Sequence, residues 1–545
     1  MANRRTVFMS LLLVSVITGC NESGIVEAAS TRDGRPNILL IVADDLGYAD
    51  LGVYGSDIST PNIDALAATG MILTQFHTAP SCAPTRAMLL TGNNNHVAGM
   101  ARQARYGIRG HPIPGYEASL SDRVAAFPKL LQESGYHTYI AGKWHLGLED
   151  EQSPRVTGFS RSFTMLEGAG THFDDLGFKS GGSNYRHDGE RVAYPVGRYS
   201  TELYTDYLIE FIDGNKNDGR PFFAFASYTS PHWPLQVPDE YLDLYSGQYD
   251  DGYDVLRERR FETLKEAEII PQWYALPPRN DAVTPWNDLS AEQQRVESRK
   301  MELYAAMVDN LDDQVGRLFD YLDANGLYEN TLVVFMSDNG AAAEDFYVDP
   351  RFRDYLQTHF DNSYEKMGTA DSFVSYDAPW AEAASPAYQR RKRYSREGGV
   401  VAPMIMSGPG VAASGAIDAS YLTVMDLAPT FLEIAGAQYP QDGSVQPMLG
   451  ESLSAFLAGE ASAVHDDEYV TAWYHDGWAY LRQGDWKISN LDPPFDESAF
   501  ELFNLKQDPG ETTDLADDEP EKLAEMIALW RQERLRFGII LPEDL

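Results

Sequence analysis

Four short apolar runs, each ending in residues that can do chemistry, constrain this chain more than any other feature. Asn37–Ala43 reads NILLIVA and stops at Asp44-Asp45. Thr331–Met336 stops at Ser337-Asp338-Asn339-Gly340, and Pro221–Ala226 leads to Ser230-Pro231-His232-Trp233-Pro234. His137–Ala141 leads into Gly142-Lys143-Trp144-His145. Runs this continuously apolar fit strands buried on both faces, as in a parallel sheet. Helical spacing lies between them. Met307, Leu311, Val315, Leu318 and Leu322 make one apolar face that ends near Asn325-Gly326, and residues 201–213 are spaced similarly. Strands alternating with helices predict an α/β fold with a large, mostly parallel sheet flanked by helices. Ligands of such sheets bind beyond the carboxyl ends of the strands. Asp44/Asp45, Lys143/His145, His232 and Asp338/Asn339 should therefore converge on one site, suited to a cation and an anionic substrate.

The charge balance narrows what that site can serve. Against 82 Asp and Glu stand 43 Lys and Arg, a net charge of −39. A surface this acidic excludes general nucleic-acid binding. An anionic substrate needs a locally cationic site against that background. Two cysteines in 545 residues exclude a disulfide framework. The first stands in a processing pattern: Arg4 and Arg5, an apolar stretch Val7–Thr18 too short to span a bilayer, then Gly19-Cys20. Ile17-Thr18-Gly19-Cys20 resembles the lipobox of bacterial lipoproteins. That resemblance implies a signal peptide over 1–19, lipidation of Cys20, a tether over 20–35, and export to the periplasmic or cell-surface side on a membrane lipid anchor. Residues 36–445 are expected to form the catalytic domain. Within it, segments of about 241–294 and 341–389 break the strand–helix rhythm and read as insertions over the ligand edge of the sheet. Residues 446–545 change character. A hairpin at Trp478–Gln483 and Trp486–Ile488, a strand at Glu501–Phe503 and an amphipathic helix at Glu519–Phe537 with Leu523, Ile527 and Trp530 on one face predict a small antiparallel sheet with a closing helix.

The second cysteine carries the chemistry. In Ser81–Gly92 (SCAPTRAMLLTG), Pro84 suits the first turn of a helix and places Cys82 near its N-terminus. Alone, that predicts either a thiolate nucleophile or a packed thiol. Cys82-Ala83-Pro84-Thr85-Arg86, however, matches the Cys-x-Pro-x-Arg signature of type I sulfatases, in the alkaline phosphatase superfamily. Ala43–Gly47, Gly142–Gly147, Ser230–Pro234 and Ser337–Gly340 continue the family pattern in the family's order. The chain looks most similar to bacterial arylsulfatases.

The resemblance implies an alkaline-phosphatase-like fold and hydrolysis of sulfate esters. It implies that a formylglycine-generating, sulfatase-maturating enzyme oxidises Cys82 to Cα-formylglycine. Thr85 stands where Ser is commoner, with the hydroxyl retained. Asp44, Asp45, Asp338 and Asn339 offer only oxygen donors, which suit a hard cation. The family implies Ca²⁺ rather than Mg²⁺, with the modified Cys82 completing the set. Carried over, the hydrated aldehyde attacks sulfur with help from Asp338, and Arg86 anchors it. Lys143 and Lys392 hold sulfate oxygens. His232, with Lys392, protonates the leaving oxygen, and His145 takes the proton that releases sulfate. The family places its Lys five residues before the Glu or Gln that precedes Gly-Gly, and that resemblance implies Lys392 within Arg391–Arg396. A phosphate or phosphonate ester hydrolase of the same superfamily and a non-catalytic binding lipoprotein are the alternatives. Among the other histidines, His77 and His96 flank the signature helix, and His172 is a candidate pocket residue.

Overall fold

The computed structural model describes residues 33–103, 107–108, 111–541 and 544. The expected signal peptide, the Cys20 lipidation site and most of the expected tether lie outside the described residues. All four apolar runs are strands, Asn37–Ala43, His137–Lys143, Phe222–Ser227 and Thr331–Ser337, and all four lie in one ten-stranded sheet. Asn37–Ala43 sits at its centre, parallel to Thr331–Ser337 on one side and to Phe222–Ser227 on the other. His137–Lys143 and then Arg161–Met165 extend the parallel set. Every residue of the central strand is buried, as its unbroken apolar run requires.

The expectation of a mostly parallel sheet holds for this centre and gives way at the margins. Met404–Ser407 and Met71–Leu73 on one flank, and Tyr185–His187 and Glu190–Val192 on the other, run antiparallel to their inner neighbours. Margin strands this short carry no long apolar run, so the sequence pattern did not mark them.

The helix with Met307 to Leu322 on its face spans Ala291–Ala324 and buries that face. It begins earlier than the apolar pattern does, because Ser290 and Gln293 cap it reciprocally. The first irregular segment contains a helix at Gly252–Glu266. Its buried Arg260 pairs with Asp50 at 2.5 Å and Asp57 at 2.9 Å, on the loop that follows Asp45. The second contributes helices at Pro350–His359 and Asp377–Ala384. Its ends touch the loops beyond the strand ends: Ala49 donates to the Ala384 carbonyl and Lys392 to that of Ala341.

The C-terminal sheet is antiparallel and four-stranded, at Val470–His475, Trp478–Gln483, Trp486–Ser489 and Glu501–Asn504. The Pro520–Phe537 helix closes it, burying Met526 and Trp530. No helix among the described residues is long and apolar enough to cross a membrane.

Candidate active site

The parallel register brings the strand ends level. Ala43 pairs with Ser337, and Val42 with Ser227, which in turn pairs with Gly142. One step further along each strand lie Asp44, Asp338 and Lys143. Asp338 donates its amide to the Ala43 carbonyl, and its Oδ1 accepts from the Asp45 amide at 3.2 Å. Asp45 has φ +65°, a left-handed conformation that acidic side chains tolerate better than most. That turn lets two adjacent carboxylates face the same side.

Cys82 opens the Cys82–Thr91 helix, every residue of which is buried. Its Sγ lies 3.5 Å from Asp44 Oδ1 and 3.6 Å from Asp45 Oδ1. Four residues on, Arg86 donates from Nε to Asp338 Oδ2 at 3.0 Å, with Nη2 at 2.8 Å from the same oxygen. Its Nη1 donates to Ser227 Oγ at 2.6 Å, and the Ser227 hydroxyl in turn donates to the Lys143 carbonyl. Ser227 was not singled out from the sequence. It is the first polar residue after its apolar run, which was the available signal.

Lys143 Nζ grips both oxygens of Asp44, at 2.9 and 2.6 Å. Lys392 Nζ lies 2.7 Å from Asp45 Oδ2, and His232 Nε2 lies 3.2 Å from the same atom. Asn339 donates its amide to Asp45 Oδ1 at 2.6 Å. The whole predicted set therefore meets, His145 included. Its ring is buried against Gly168, where a Cβ would have no room, and it lies in the field of Lys143, Arg86 and Lys392.

His172 is buried beside His232. It bonds Ser200 Oγ at 2.7 Å and the His232 carbonyl at 3.2 Å. His96 is buried near Tyr116 and Tyr474. His77 bonds Glu397 Oε2 at 2.8 Å, five residues from Cys82. Glu397 also receives Lys487 at 2.6 Å, and Lys487 reaches Glu511 at 3.0 Å. This buried ion cluster ties the C-terminal sheet to the segments carrying Cys82 and Lys392. It escaped the sequence reading because its members are scattered singly along the chain.

Electrostatics follow from burial and pairing. Burial lifts Asp44 to about 7; Lys143 opposes this, and Asp338 and Asp45 add to it. Burial acts on Asp45 too, but Lys392, His232 and Lys143 prevail and hold it well below the usual carboxylate range. Burial, with Asp338, pushes the Cys82 thiol well above its ordinary value. The helix N-terminus alone favours a thiolate, but burial, with Asp338 beside it, outweighs that, so the unmodified side chain is a neutral thiol. Burial and neighbouring lysines drive both His145 and His232 well below the ordinary histidine value.

The donor chemistry fits a hard cation. Ligating atoms of Asp44, Asp45, Cys82 and His232 all lie within 4.8 Å of one another. Asn339 Oδ1 is buried with no hydrogen-bond partner, an acceptor that a cation would satisfy. When all three are ionised, the carboxylates Asp44, Asp45 and Asp338 balance Arg86, Lys143 and Lys392. A divalent ion would tip this buried cluster positive, as anion binding in so acidic a protein requires.

The comparisons agree with this geometry. The sulfatase family model matches residues 36–437, and a model of the C-terminal part of N-sulphoglucosamine sulphohydrolase matches residues 388–535. An arylsulfatase of Klebsiella aerogenes is 40% identical over 437 residues, 78% of this chain and 93% of that protein. A sulfatase of Schizosaccharomyces pombe is 38% identical over 534 residues, 94% of this chain and 95% of that protein. Among solved structures, Ps i-CgsB in complex with k-i-k-neocarrahexaose is 26% identical, with a TM-score of 0.65 over 91% of this chain and 92% of that one. With strand ends, signature helix and whole-length likeness in accord, the chain belongs to the sulfatase family and is a hydrolase of sulfuric esters.

Proposed function

We propose that this sulfatase works through a formylglycine formed from Cys82 and a Ca²⁺ ion held by Asp44, Asp45, Asp338 and Asn339. The observation that carries the reading is the position of Cys82 Sγ, 3.5 and 3.6 Å from two carboxylates at the end of the central strand. Formylglycine would supply a hydrated aldehyde oxygen to attack sulfur, and the cation would neutralise charge on the sulfuryl oxygens.

The remaining work falls to side chains seen in place. Arg86, locked between Asp338 and Ser227, orients the carboxylate that takes the proton of the attacking hydroxyl. Lys143 and Lys392, paired with Asp44 and Asp45, would hold sulfate oxygens beside the same cluster. His232 donates from Nδ1 to the Trp233 carbonyl at 2.7 Å, which leaves Nε2 facing the site. Nε2 would carry a proton to the leaving oxygen once the bound ester anion brings the ring into its protonated form. His145 is held neutral, and its Nδ1 has no hydrogen-bond partner. It is thus free to take the proton whose loss expels sulfate.

Nitrophenyl sulfate hydrolysis with Ca²⁺ and with a chelator, alongside mass spectrometry of the Cys82 peptide, tests the reading. Turnover that requires both Ca²⁺ and a converted Cys82 is expected. Full turnover by chelated protein with an intact thiol would overturn it. We also propose export and lipid anchoring through Cys20, from the Arg4–Cys20 pattern. Loss of membrane association in Cys20→Ala is the corresponding test.

A further inference from the structure

Outside the reaction centre, the feature most at odds with the rest of the chain is a hollow of about 290 Å³ lined by Arg257, Arg279 and Arg390. They come from three places: the Gly252–Glu266 helix, the loop that follows it, and the loop that reaches Lys392 two residues later. Three guanidinium groups at one hollow are out of character for a protein of net charge −39.

Their pairing is incomplete. Neither Arg257 nor Arg390 has a carboxylate within ion-pair distance among the described residues. Arg257 donates to the Pro277 carbonyl at 2.6 Å, and the buried Nε of Arg390 has no partner. Arg279 reaches Asp254 at 3.2 Å. Glu382 also lines the hollow, but its nearest cation is Arg391, at 3.5 Å, and Asp281 stands exposed at the rim. Glu382 and Asp254 act on Arg257 only from beyond ion-pair distance, and half-buried cations paired so loosely are costly unless an anion joins them. Burial already holds the Arg257 guanidinium below its ordinary value.

The backbone points the same way. Arg390 has φ +67°, a strained conformation for a non-glycine residue. The strain is held in place by contact: Gly398 donates to the Gln389 carbonyl at 3.0 Å, and a Cβ at Gly398 would collide with the Arg390 carbonyl. The loop that presents Arg390 to the hollow is thus braced on the Gly398-Gly399 pair that follows Lys392.

We propose that Arg257, Arg279 and Arg390 form a second anion site, which takes a sulfate or carboxylate group other than the one hydrolysed. The anion is either a further charged group of a multiply anionic ester or a free ion. The first of these rests on the catalytic reading above; the site itself does not. Guanidinium forks suit both groups, because each offers paired oxygens.

Calorimetric titration of the wild-type protein, Arg257→Gln and Arg279→Gln with inorganic sulfate tests the site. Two binding events are expected in the wild type, and one in each variant. A single event in the wild type, or two in both variants, would overturn the proposal. Inhibition of nitrophenyl sulfate hydrolysis by a disulfated disaccharide separates the sources. A weakening of about tenfold in Arg279→Gln, the scale of one charge-assisted hydrogen bond, with nitrophenyl sulfate turnover unchanged, assigns the site to substrate. An unchanged inhibition constant beside a lost calorimetric event keeps the site and assigns it to a free anion. Wild-type protein inert toward nitrophenyl sulfate would count against the catalytic reading alone, because the calorimetric arm needs no turnover.

Discussion

Replacing Lys487 by Met should destabilise the protein by about 3–5 kcal/mol at pH 7, the cost of removing one partner from a buried ion pair. The geometry supports that range. Lys487 Nζ sits 2.6 Å from Glu397 and 3.0 Å from Glu511, and all three side chains are at most 2% exposed. Glu511 also accepts the Glu397 amide proton, so the two carboxylates are left facing each other once the ammonium is gone. His77 and Arg396 remain, at 2.8 Å from Glu397 and 3.8 Å from Glu511, too few to replace what is lost. Urea unfolding followed by tryptophan fluorescence measures the deficit, with Lys487→Arg as the charge-preserving control. The pH dependence has a definite sign. In the wild type, burial raises Glu397, but Lys487 and His77 outweigh it and hold it well below its ordinary value, so its contribution is present above the unfolded pKa and fades in acid. Without Lys487, the pair of carboxylates binds a proton that the unfolded chain at pH 6 does not. The variant's deficit should therefore shrink as pH falls from 7 toward 5. A loss under about 1 kcal/mol at pH 7, or a deficit that grows in acid, would refute the reasoning.

Lys392→Ala should cut kcat/KM for nitrophenyl sulfate by about a hundredfold or more, the scale of one lost charge-stabilising donor. Arg391→Ala, whose partner is Glu382, should stay within about threefold. Asn339→Leu removes the unpartnered amide oxygen, so the Ca²⁺ needed for half-maximal activity should rise by about tenfold or more, read by titrating chelated enzyme. Because Asp44 stands at about 7 without a cation, Ca²⁺ uptake by chelated protein should release a proton. Its affinity, followed by calorimetry, should rise with pH up to about 7 and flatten above it.

Much of the site was legible because parallel sheets make it so. A strand buried on both faces announces itself as an unbroken apolar run, and its first polar residues fall at the ligand edge. Asp44, Lys143 and Asp338 were each found that way, and the register puts Asp44 level with Asp338 and Lys143 one residue behind. Cys82, Arg86 and Lys392 needed the family signature, since nothing in local periodicity separates Lys392 from the arginines around it. What stayed hidden depends on contacts between distant residues. Lys487 and Glu511 look like ordinary surface charges in sequence, and only the packing of the C-terminal sheet buries them. The left-handed turn at Asp45 and the antiparallel margin strands are likewise products of tertiary packing, which overrides weak local preference.

Cys82 is only 2% exposed, at the base of a helix whose every residue is enclosed. An outside enzyme that oxidises this side chain has no route to it once the sheet has closed. The conversion we propose therefore has to happen on an open chain, before Asp338, which lies 256 residues further along, folds back against Arg86. The fold thus acts as a deadline: a molecule that closes first keeps its thiol for good, native in shape and inert.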